Sequence, residues 1–537
     1  MSQRPELVVG FVAPVGVRLR DLVDKTAQYL RDFKYEPVEI RLSELLRRYA
    51  GWTPAPSNED LRILHSQKVA HGFRERLASA QALALSSLVS IREERAKLTG
   101  DPDKPGDAVA FLLNQLKHPS EVRLLRQVYG PSFVLIAAHA TKGSRQENLV
   151  SAIASSESRS VRADDIAKAL NIVTIDDEEP ALVGADELGQ NTRSTYPLAD
   201  MFVNLERGIP GEFEVGRFID LLFGHPFRTP RPDEVAMYHA SAAALRSSDE
   251  SRQVGAVIVD VRRDSENRTS NVEVVATGMN EVPMRGGGFY WDGSPNSPDA
   301  RDQWMIRYWN DDRALTIKKD VLMELLEVLR RREWLKESIA LRQTPDLLRE
   351  LIPDGLRGTQ FLNIGEFQRQ VHAEMAALVD SARRGVAVDG RTMFVTTFPC
   401  HNCAKHIIAA GIRHVVYLEP YPKSRAETLH KEEINLESKS GPPAEGSQTS
   451  GEIPRVVFSP YTGIAPRQYQ RLFSMSGRGK KNLLALKDWE TKKVALSPQH
   501  LIRNAFASYL MAERQELSGL PTDIFNWDPR VVCPPQH

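Results

Sequence analysis

The 537-residue chain is predicted to be an α/β protein with two sheets, parallel in its N-terminal half and mixed in its C-terminal half. Three observations carry that expectation. The chain opens on an apolar run, Leu7 to Val12, then a helix-periodic stretch, Leu19 to Phe33, then a short run, Pro37 to Ile40, which together read as strand, helix and strand. Strand-like runs at Val109 to Leu113 and Phe133 to Ala138 are each followed by helical stretches, the alternation that builds a parallel sheet. Beyond residue 229 two adjacent strand-like runs precede helix, strand, helix and strand, the order of a mixed sheet sandwiched by helices.

Between the first strand and the first helix lies Gly10-Phe-Val-Ala-Pro-Val-Gly16-Val-Arg18. A turn of this kind at a helix N-terminus can bind an anion through its backbone N–H groups, so Gly10 and Gly16 mark a candidate anion site. The loop departs from the Gly-x-x-x-x-Gly-Lys-Ser/Thr pattern that cradles nucleotide phosphates. Its glycine spacing is longer by one residue, and neither the Lys nor the Mg²⁺-holding hydroxyl follows Gly16. Phosphoryl transfer leans on that Lys and on Mg²⁺, so residues 1–225 are expected to form a degenerate, regulatory domain without kinase or ATPase activity. Phe213 to Pro230 reads as a hinge.

Residues 229–480 are expected to form the second domain. Pro232 to Leu245 has helical spacing, and Val254 to Val259 and Val272 to Ala276 read as adjacent strands joined by the polar stretch Arg262 to Asn271. An insertion, 284–365, contains Gly286-Gly-Gly-Phe-Tyr-Trp291 and a charged helical stretch, Asp311 to Arg342; it is too long for a turn and is expected to shape a pocket or an oligomer contact. After it, His372-Ala373-Glu374 stands at the first turn of a helix marked by Met375, Leu378, Val379 and Ala382 and ending near Gly385. Val386 to Gly390 is a turn and Arg391 to Thr397 a strand. Phe398 is biased to extended geometry by the proline after it, and Pro399 is expected to open the next helix, with Cys400 and Cys403 one turn apart. Ala404, Ile407 and Ile408 bury the far side of that helix, Gly411 caps it, and His414 to Leu418 is the next strand. Residues 437–452 are polar and are expected to form a flexible loop, after which Val456 to Phe458 resumes a strand. Residues 481–537 hold an amphipathic helix, Gln499 to Leu517, and a tail.

The chemistry concentrates in His372, Glu374, Cys400 and Cys403. One neutral imidazole and two thiolates suit Zn²⁺, and three protein ligands leave a fourth tetrahedral position open to water, as in a catalytic site. Zinc brings the pKa of such a water towards neutrality, and a carboxylate beside it, Glu374, can take the proton and pass it on. Both ligand groups start helices, whose dipoles favour the thiolates. A lone Cys-x-x-Cys also serves as a redox pair or half a structural zinc site, and His406, one turn beyond Cys403, is an alternative ligand. The ordered combination, with proline before Cys400, favours the catalytic reading.

Lys plus Arg and Asp plus Glu number 70 each, giving zero net charge, which argues against a general nucleic-acid scaffold. No apolar run approaches the roughly 20 residues that span a bilayer, and the first residues lack a signal peptide's apolar segment. Of three cysteines, Cys533 stands alone in a Pro-rich tail as an incidental thiol, which suits a reducing compartment. The expectation is a cytoplasmic protein without membrane partners.

The segments Ser251-Arg-Gln-Val-Gly-Ala-Val-Ile-Val259 and Ala276-Thr-Gly-Met-Asn280, with His-Ala-Glu and Pro-Cys-x-x-Cys, resemble the deoxycytidylate deaminases. With Gly286 to Trp291, Leu418-Glu-Pro-Tyr-Pro-Lys-Ser424 and Val456 to Phe473, nearly the whole chain resembles the bacterial anti-phage deoxycytidine triphosphate (dCTP) deaminases. These couple a P-loop nucleotide-kinase-like domain, a parallel sheet with helices, to a cytidine-deaminase-like α/β/α domain with a mixed sheet. The resemblance implies one Zn²⁺ per deaminase domain, hydrolytic deamination of dCTP and dCMP to dUTP and dUMP, a homo-oligomer, and restraint by a small antitoxin RNA. It also implies that Glu374 shuttles protons, that Asn280 contacts the sugar, and that the Phe398 carbonyl accepts from the departing amine. Arg252, Lys423 and Arg425 are candidates for the phosphates, and Tyr417 and Tyr421 for stacking on base or ribose. Each has a plainer alternative: Asn280 can cap a turn, Tyr417 can belong to the core, and surface cations are usually solvated. Two other functions compete. An RNA or single-stranded-DNA cytosine or adenine deaminase needs a basic channel with stacking aromatics, and an RNA-regulated binding protein with a relict site sits poorly with an intact ligand set.

Overall fold

The computed structural model describes residues 4–178, 188–206, 211–263, 269–292, 299–309, 312–352, 356, 359, 361–419, 424–436, 455–474, 489, 498, 506–518, 520 and 521. Its strands are β1 (Leu7–Val12), β2 (Glu36–Arg41), β3 (Val109–Asn114), β4 (Phe133–His139), β5 (Met201–Asn204), β6 (Gly255–Arg263), β7 (Thr269–Met279), β8 (Thr392–Thr397), β9 (His414–Glu419), β10 (Ile434–Asn435), β11 (Val456–Pro460) and β12 (Gly463–Ile464). They form two sheets in two compact units, one of residues 1–180, 186–238 and 460–537, the other of 181–185 and 239–459.

In the first unit the sheet order is β12-β5-β4-β1-β3-β2, with β1 to β5 parallel and β12 antiparallel on the β5 edge. The connection leaving β1 runs towards one edge and those leaving β3 and β4 towards the other, so the loops at the carboxyl ends of these strands part. Parallel strands need both faces covered, which is why β1, β3 and β4 read as continuous apolar runs. Val9 and Phe11 of β1 pack with Leu22, Val23 and Leu30 of the helix Leu19–Asp32 and with Phe218 and Ile219 of the helix Gly211–Leu222. Within the span 213–230, expected to be a hinge, residues 213–222 are helical with an apolar face that belongs to this core, and 223–230 have no regular secondary structure. The compact units also divide the chain differently from the sequence reading at 229–480, because Gly463 and Ile464 hydrogen-bond into the first sheet.

The C-terminal helix, Phe506–Leu517, finds its partner in the same unit. Glu513, fully buried, sits 2.8 Å from both Nη atoms of Arg95 and 3.4 Å from Nη1 of Arg92, and accepts from the Tyr129 hydroxyl at 2.7 Å. Arg95 also pairs with buried Glu6 at 3.0 Å, and Tyr509 donates to Glu6 at 2.9 Å. Two buried guanidiniums are tolerated because each faces carboxylates in hydrogen-bonding geometry.

The second sheet has the order β10-β11-β9-β8-β6-β7. β6 is antiparallel to both β7 and β8, β8 is parallel to β9, and β10 to β11, so this sheet is mixed. The hairpin strands run further than their apolar segments, since Arg262, Arg263 and Thr269 to Asn271 also pair. The apolar face of the sheet, Ala256, Ile258, Ala276, Met393, Val395 and Val415, packs on Ala373, Ala377, Cys403, Ala404 and Ile407 of two helices. Within the insertion the long charged stretch is a helix, Arg313–Arg331, whose Leu322 and Leu326 pack on Leu347 and Leu348. The expected loop 437–452 lies outside the described residues. Among the described residues no helix is long and apolar enough to cross a membrane.

Candidate metal centre

Two glycines set the position of the site-bearing helices. A Cβ on Gly278 of β7 would lie 2.2 Å from the Ala373 carbonyl oxygen and 2.4 Å from the Ala377 nitrogen, so only glycine lets the helix Ala373–Arg383 approach the strand this closely. Gly255 of β6 does the same for the helix Pro232–Ala244, with the Ala240 carbonyl 2.0 Å from a hypothetical Cβ. The segment before His372 is fastened to the end of β7 by two backbone bonds between Glu281 and Val371, of 3.2 and 3.0 Å.

His372 is the N-cap of the helix Ala373–Arg383, and Cys400 is the N-cap of the helix His401–Ala409; neither side chain caps its own helix. The sequence reading started the second helix at Pro399, whereas Pro399 precedes the cap. Its carbonyl accepts instead from the Ser424 hydroxyl at 2.8 Å, which fixes the approach to Cys400. With their own helix ends left to others, both side chains turn to a common point. His372 Nδ1 is 3.4 Å from the Cys400 sulfur and 3.4 Å from the Cys403 sulfur, and the three donor atoms all lie within 4.8 Å of one another.

This donor set fits Zn²⁺. Zinc bonds of about 2.3 Å to sulfur and 2.0–2.1 Å to nitrogen, at a tetrahedral angle, place ligand nitrogen and sulfur roughly 3.5 Å apart. Among the described residues the group is His372, Cys400 and Cys403 alone; His406 is exposed and outside it.

Glu374 is 4% exposed, with its carboxylate 3.4 Å from the Cys403 sulfur. Burial, reinforced by the charge on Cys400, raises its carboxyl to about 7. The three donors polarise one another as well. The Cys403 thiol hydrogen-bonds Cys400 and, with help from His372, brings Cys400 down to about 4; the same interaction and burial push Cys403 up, and the Cys400 contact lifts His372 to about 9.

The other expected site residues fall into three groups. Asn280, 6% exposed, has its amide engaged: Oδ1 accepts from the Val254 N–H at 2.8 Å, and Nδ2 donates to Asp249 and to the Arg252 carbonyl, both at 2.9 Å. It therefore holds the 249–254 loop. Arg252 pairs with Glu419 at 3.5 Å, and the Phe398 N–H donates to the Glu419 carbonyl at 2.7 Å, which brings Arg252, Glu419 and Phe398 side by side. Tyr417, partly buried, packs edge-on against the Phe398 ring, 4.9 Å between centroids, and against the core cluster. Arg425 is exposed at the start of a short helix, and Tyr421 and Lys423 lie outside the described residues. Gly10 is part of β1, and Gly16 bends the following loop at φ 88°.

Sequence reasoning missed Asp249, which orders Ser251 and Asn280, and buried Glu281, which accepts from the Ser248 N–H and hydroxyl. Both precede or follow residues that were singled out, but their partners are distant in sequence. Gly278 stood inside a quoted segment, and its strand pattern carried a signal of close backbone approach.

Comparison with known proteins follows the same geometry. Residues 230–419 match the family model for the cytidine and deoxycytidylate deaminase zinc-binding region. Deoxycytidylate deaminase of Enterobacteria phage T4 is 43% identical over 58 residues, covering 11% of this chain and 30% of that protein. ComE operon protein 2 of Bacillus subtilis is 47% identical over 53 residues, 10% of this chain and 28% of that protein. The match to the phage T2 deoxycytidylate deaminase likewise spans 31% of its length, so under a third of each of these relatives is covered. Among solved structures, the dCMP deaminase of cyanophage S-TIM5 in complex with dCMP and dUMP is 17% identical, covering 38% of this chain and 93% of that one, with a TM-score of 0.20. Residues 230–419 are thus similar to the zinc-binding region shared by cytidine and deoxycytidylate deaminases.

Proposed function

We propose that this domain carries out zinc-dependent hydrolytic deamination of deoxycytidine nucleotides, dCMP and dCTP, to the deoxyuridine nucleotides, and that its purpose is to deplete the pool on which a replicating phage depends. The observation that carries the reading is one imidazole nitrogen equidistant, at 3.4 Å, from two sulfurs, with a buried carboxylate beside them. When bound there, zinc supplies the Lewis acidity that makes water a nucleophile near neutral pH. Glu374 moves the protons: it takes one from the attacking water and delivers it to the ring nitrogen, and a second transfer releases ammonia from carbon four. A buried carboxylate beside the ligand group can both take and give a proton, which general acid and base work requires. On this reading the Phe398 carbonyl accepts from the leaving amine.

On this reading the sugar sits against Asn280 and the loop it holds, and Arg252, released from Glu419, joins Lys423 and Arg425 on the phosphates. The first unit has a regulatory role, with a small antitoxin RNA as partner, and the active form is a homo-oligomer. The phosphate loop without its Lys supports regulation over catalysis in that unit.

The test is to incubate the zinc-loaded protein with dCMP, dCTP, CTP, cytidine and a cytosine-containing oligonucleotide and resolve the products by chromatography. Conversion of dCMP and dCTP is expected. Conversion of the oligonucleotide alone overturns the reading.

A further inference from the structure

Asn280, immediately after β7, has a side chain whose orientation its neighbours dictate. Its Oδ1 takes the Val254 N–H at 2.8 Å, a group that can only donate. Its Nδ2 gives its hydrogens to the Asp249 carboxylate and the Arg252 carbonyl, both at 2.9 Å, groups that can only accept. A flipped amide would set donor against donor and acceptor against acceptor. Among the described residues the capacity left over is the second lone pair of Oδ1, so Asn280 offers a ligand an acceptor and no donor.

Asp249 holds this arrangement because it works in two directions at once. Its Oδ1 accepts from the Ser251 N–H and the Ser251 hydroxyl, each at 2.7 Å, and from the Arg252 N–H at 3.4 Å, while Oδ2 takes the Asn280 amide. The first set of bonds folds 249–252 into the bend that carries the Arg252 carbonyl to Asn280. An asparagine at 249 has a single acceptor atom, so it serves the bend or Asn280 but not both; the carboxylate serves both. The start of the loop is anchored too. Gln253 Nε2 donates to the Ser247 carbonyl at 2.7 Å, and the Ser248 hydroxyl donates to Glu281 at 2.8 Å. The Glu281 backbone pairs with Val371, next to His372, so the loop and the ligand-bearing segment are fastened to the same end of β7.

We propose, on the reading that the substrate sugar sits against Asn280, that Asp249 is a positioning residue: by locking the Asn280 amide with its oxygen available, it makes the site select nucleotides with a free 3′-hydroxyl. In a 2′-deoxynucleotide the 5′ position carries phosphate and the 2′ position carries no oxygen, so the 3′-hydroxyl is the one sugar group that can donate. A 3′-deoxy sugar leaves the Oδ1 lone pair without a donor, and a polar atom left unpaired in a closed site weakens binding.

The test compares dCMP with 2′,3′-dideoxycytidine monophosphate on zinc-loaded full-length wild type, Asp249→Asn, Asn280→Ala and the double variant, measuring kcat, KM and equilibrium binding. Wild type is expected to prefer dCMP on the order of 10²-fold or more in kcat/KM. Asp249→Asn is expected to lose roughly tenfold of that preference, mostly through KM, and to lose nothing further in the Asn280→Ala background, since a residue acting through Asn280 has no effect once Asn280 is gone. A merely structural role lowers activity towards both nucleotides alike. An unchanged preference in folded Asp249→Asn overturns the proposal, as does a loss of equal size with and without Asn280, or a wild type that converts both nucleotides equally. If Asp249→Asn does not fold, Asp249→Ala takes its place with the same expected loss, and failure of both Asp249 variants to fold also overturns the proposal. A wild type that neither binds nor converts dCMP sinks the deamination reading itself, and the positioning role with it.

Discussion

One helix start in the first unit and two in the second are treated in opposite ways. In the second unit His372 and Cys400 stand at N-cap positions without capping, and their side chains converge with Cys403 on a point where an ion fits. In the first unit two comparable groups are already satisfied: the Val15 N–H by Asp176, and the start of the helix Lys142–Ser156 by the Thr141 hydroxyl, which accepts from the Ser144 N–H while Glu206 accepts from the Thr141 N–H. A helix N-terminus becomes a site only where the chain withholds its own partner. The same backbone physics thus gives an open centre in one unit and an occupied helix start in the other.

That contrast can be broken most sharply at the open centre. Glu374→Gln is expected to keep one zinc per chain and lose on the order of 10³-fold or more in turnover, whereas Cys403→Ala is expected to lose the zinc as well. Elemental analysis beside an ammonia-release assay separates the two; full activity in Glu374→Gln sinks the proton-shuttle role. In the first unit the largest expected effect lies in the C-terminal helix. Glu513→Gln leaves Arg92 and Arg95 short of a carboxylate in a dry interior and should cost about 3–5 kcal/mol in urea denaturation, with the proposed turnover unaffected per folded molecule.

Gly278→Ala tests whether close packing sets the centre. The added carbon meets backbone, so the helix carrying His372 and Glu374 must shift, at a cost of about 1–3 kcal/mol and roughly 10²-fold in activity. Unchanged kinetics would show that the approach is not needed.

The smallest effect is a pH dependence in the first unit. Burial, with Arg145 nearby, brings His139 at the end of β4 down to about 4. A histidine whose folded pKa lies below its unfolded value of 6.5 binds fewer protons folded than unfolded, so its contribution is intact above pH 6.5 and is lost as pH falls towards 4. Between pH 7.5 and 5 this should remove about 2 kcal/mol, read as the difference between wild type and His139→Gln in chemical denaturation. Equal pH slopes would show that His139 is not the responsible group.

Much of this was legible in the residues. β1, β3 and β4 are continuous apolar runs, and the expected bounds of β1 to β4, β8, β9 and β11 fall within two residues of the observed ends, whereas the hairpin strands β6 and β7 extend three to four residues further. The ligand set could be read because its four residues lie in two short local motifs whose spacing on helices is fixed by the backbone. The helix over the first part of 213–230 was not legible for the converse reason: its apolar face is completed by β1 and the helix Leu19–Asp32, so it looks like a linker until its partner is known. Asn280 shows the same limit, since its amide is taken by Asp249, Arg252 and Val254, groups a sequence pattern does not connect to it.

By itself the sequence determined the period of each element, the chemistry of the His372, Glu374, Cys400 and Cys403 group, and the missing Lys of the N-terminal loop, because these depend on neighbours a few residues apart. Only the tertiary structure decided that Gly278 admits the ligand-bearing helix, that the C-terminal helix closes over Arg92 and Arg95, and that Asp176 accepts from the Val15 N–H in the loop after β1. Each of those joins residues separated by dozens to hundreds of positions, and such contacts are chosen by which surfaces and charges must be covered once the sheets have formed.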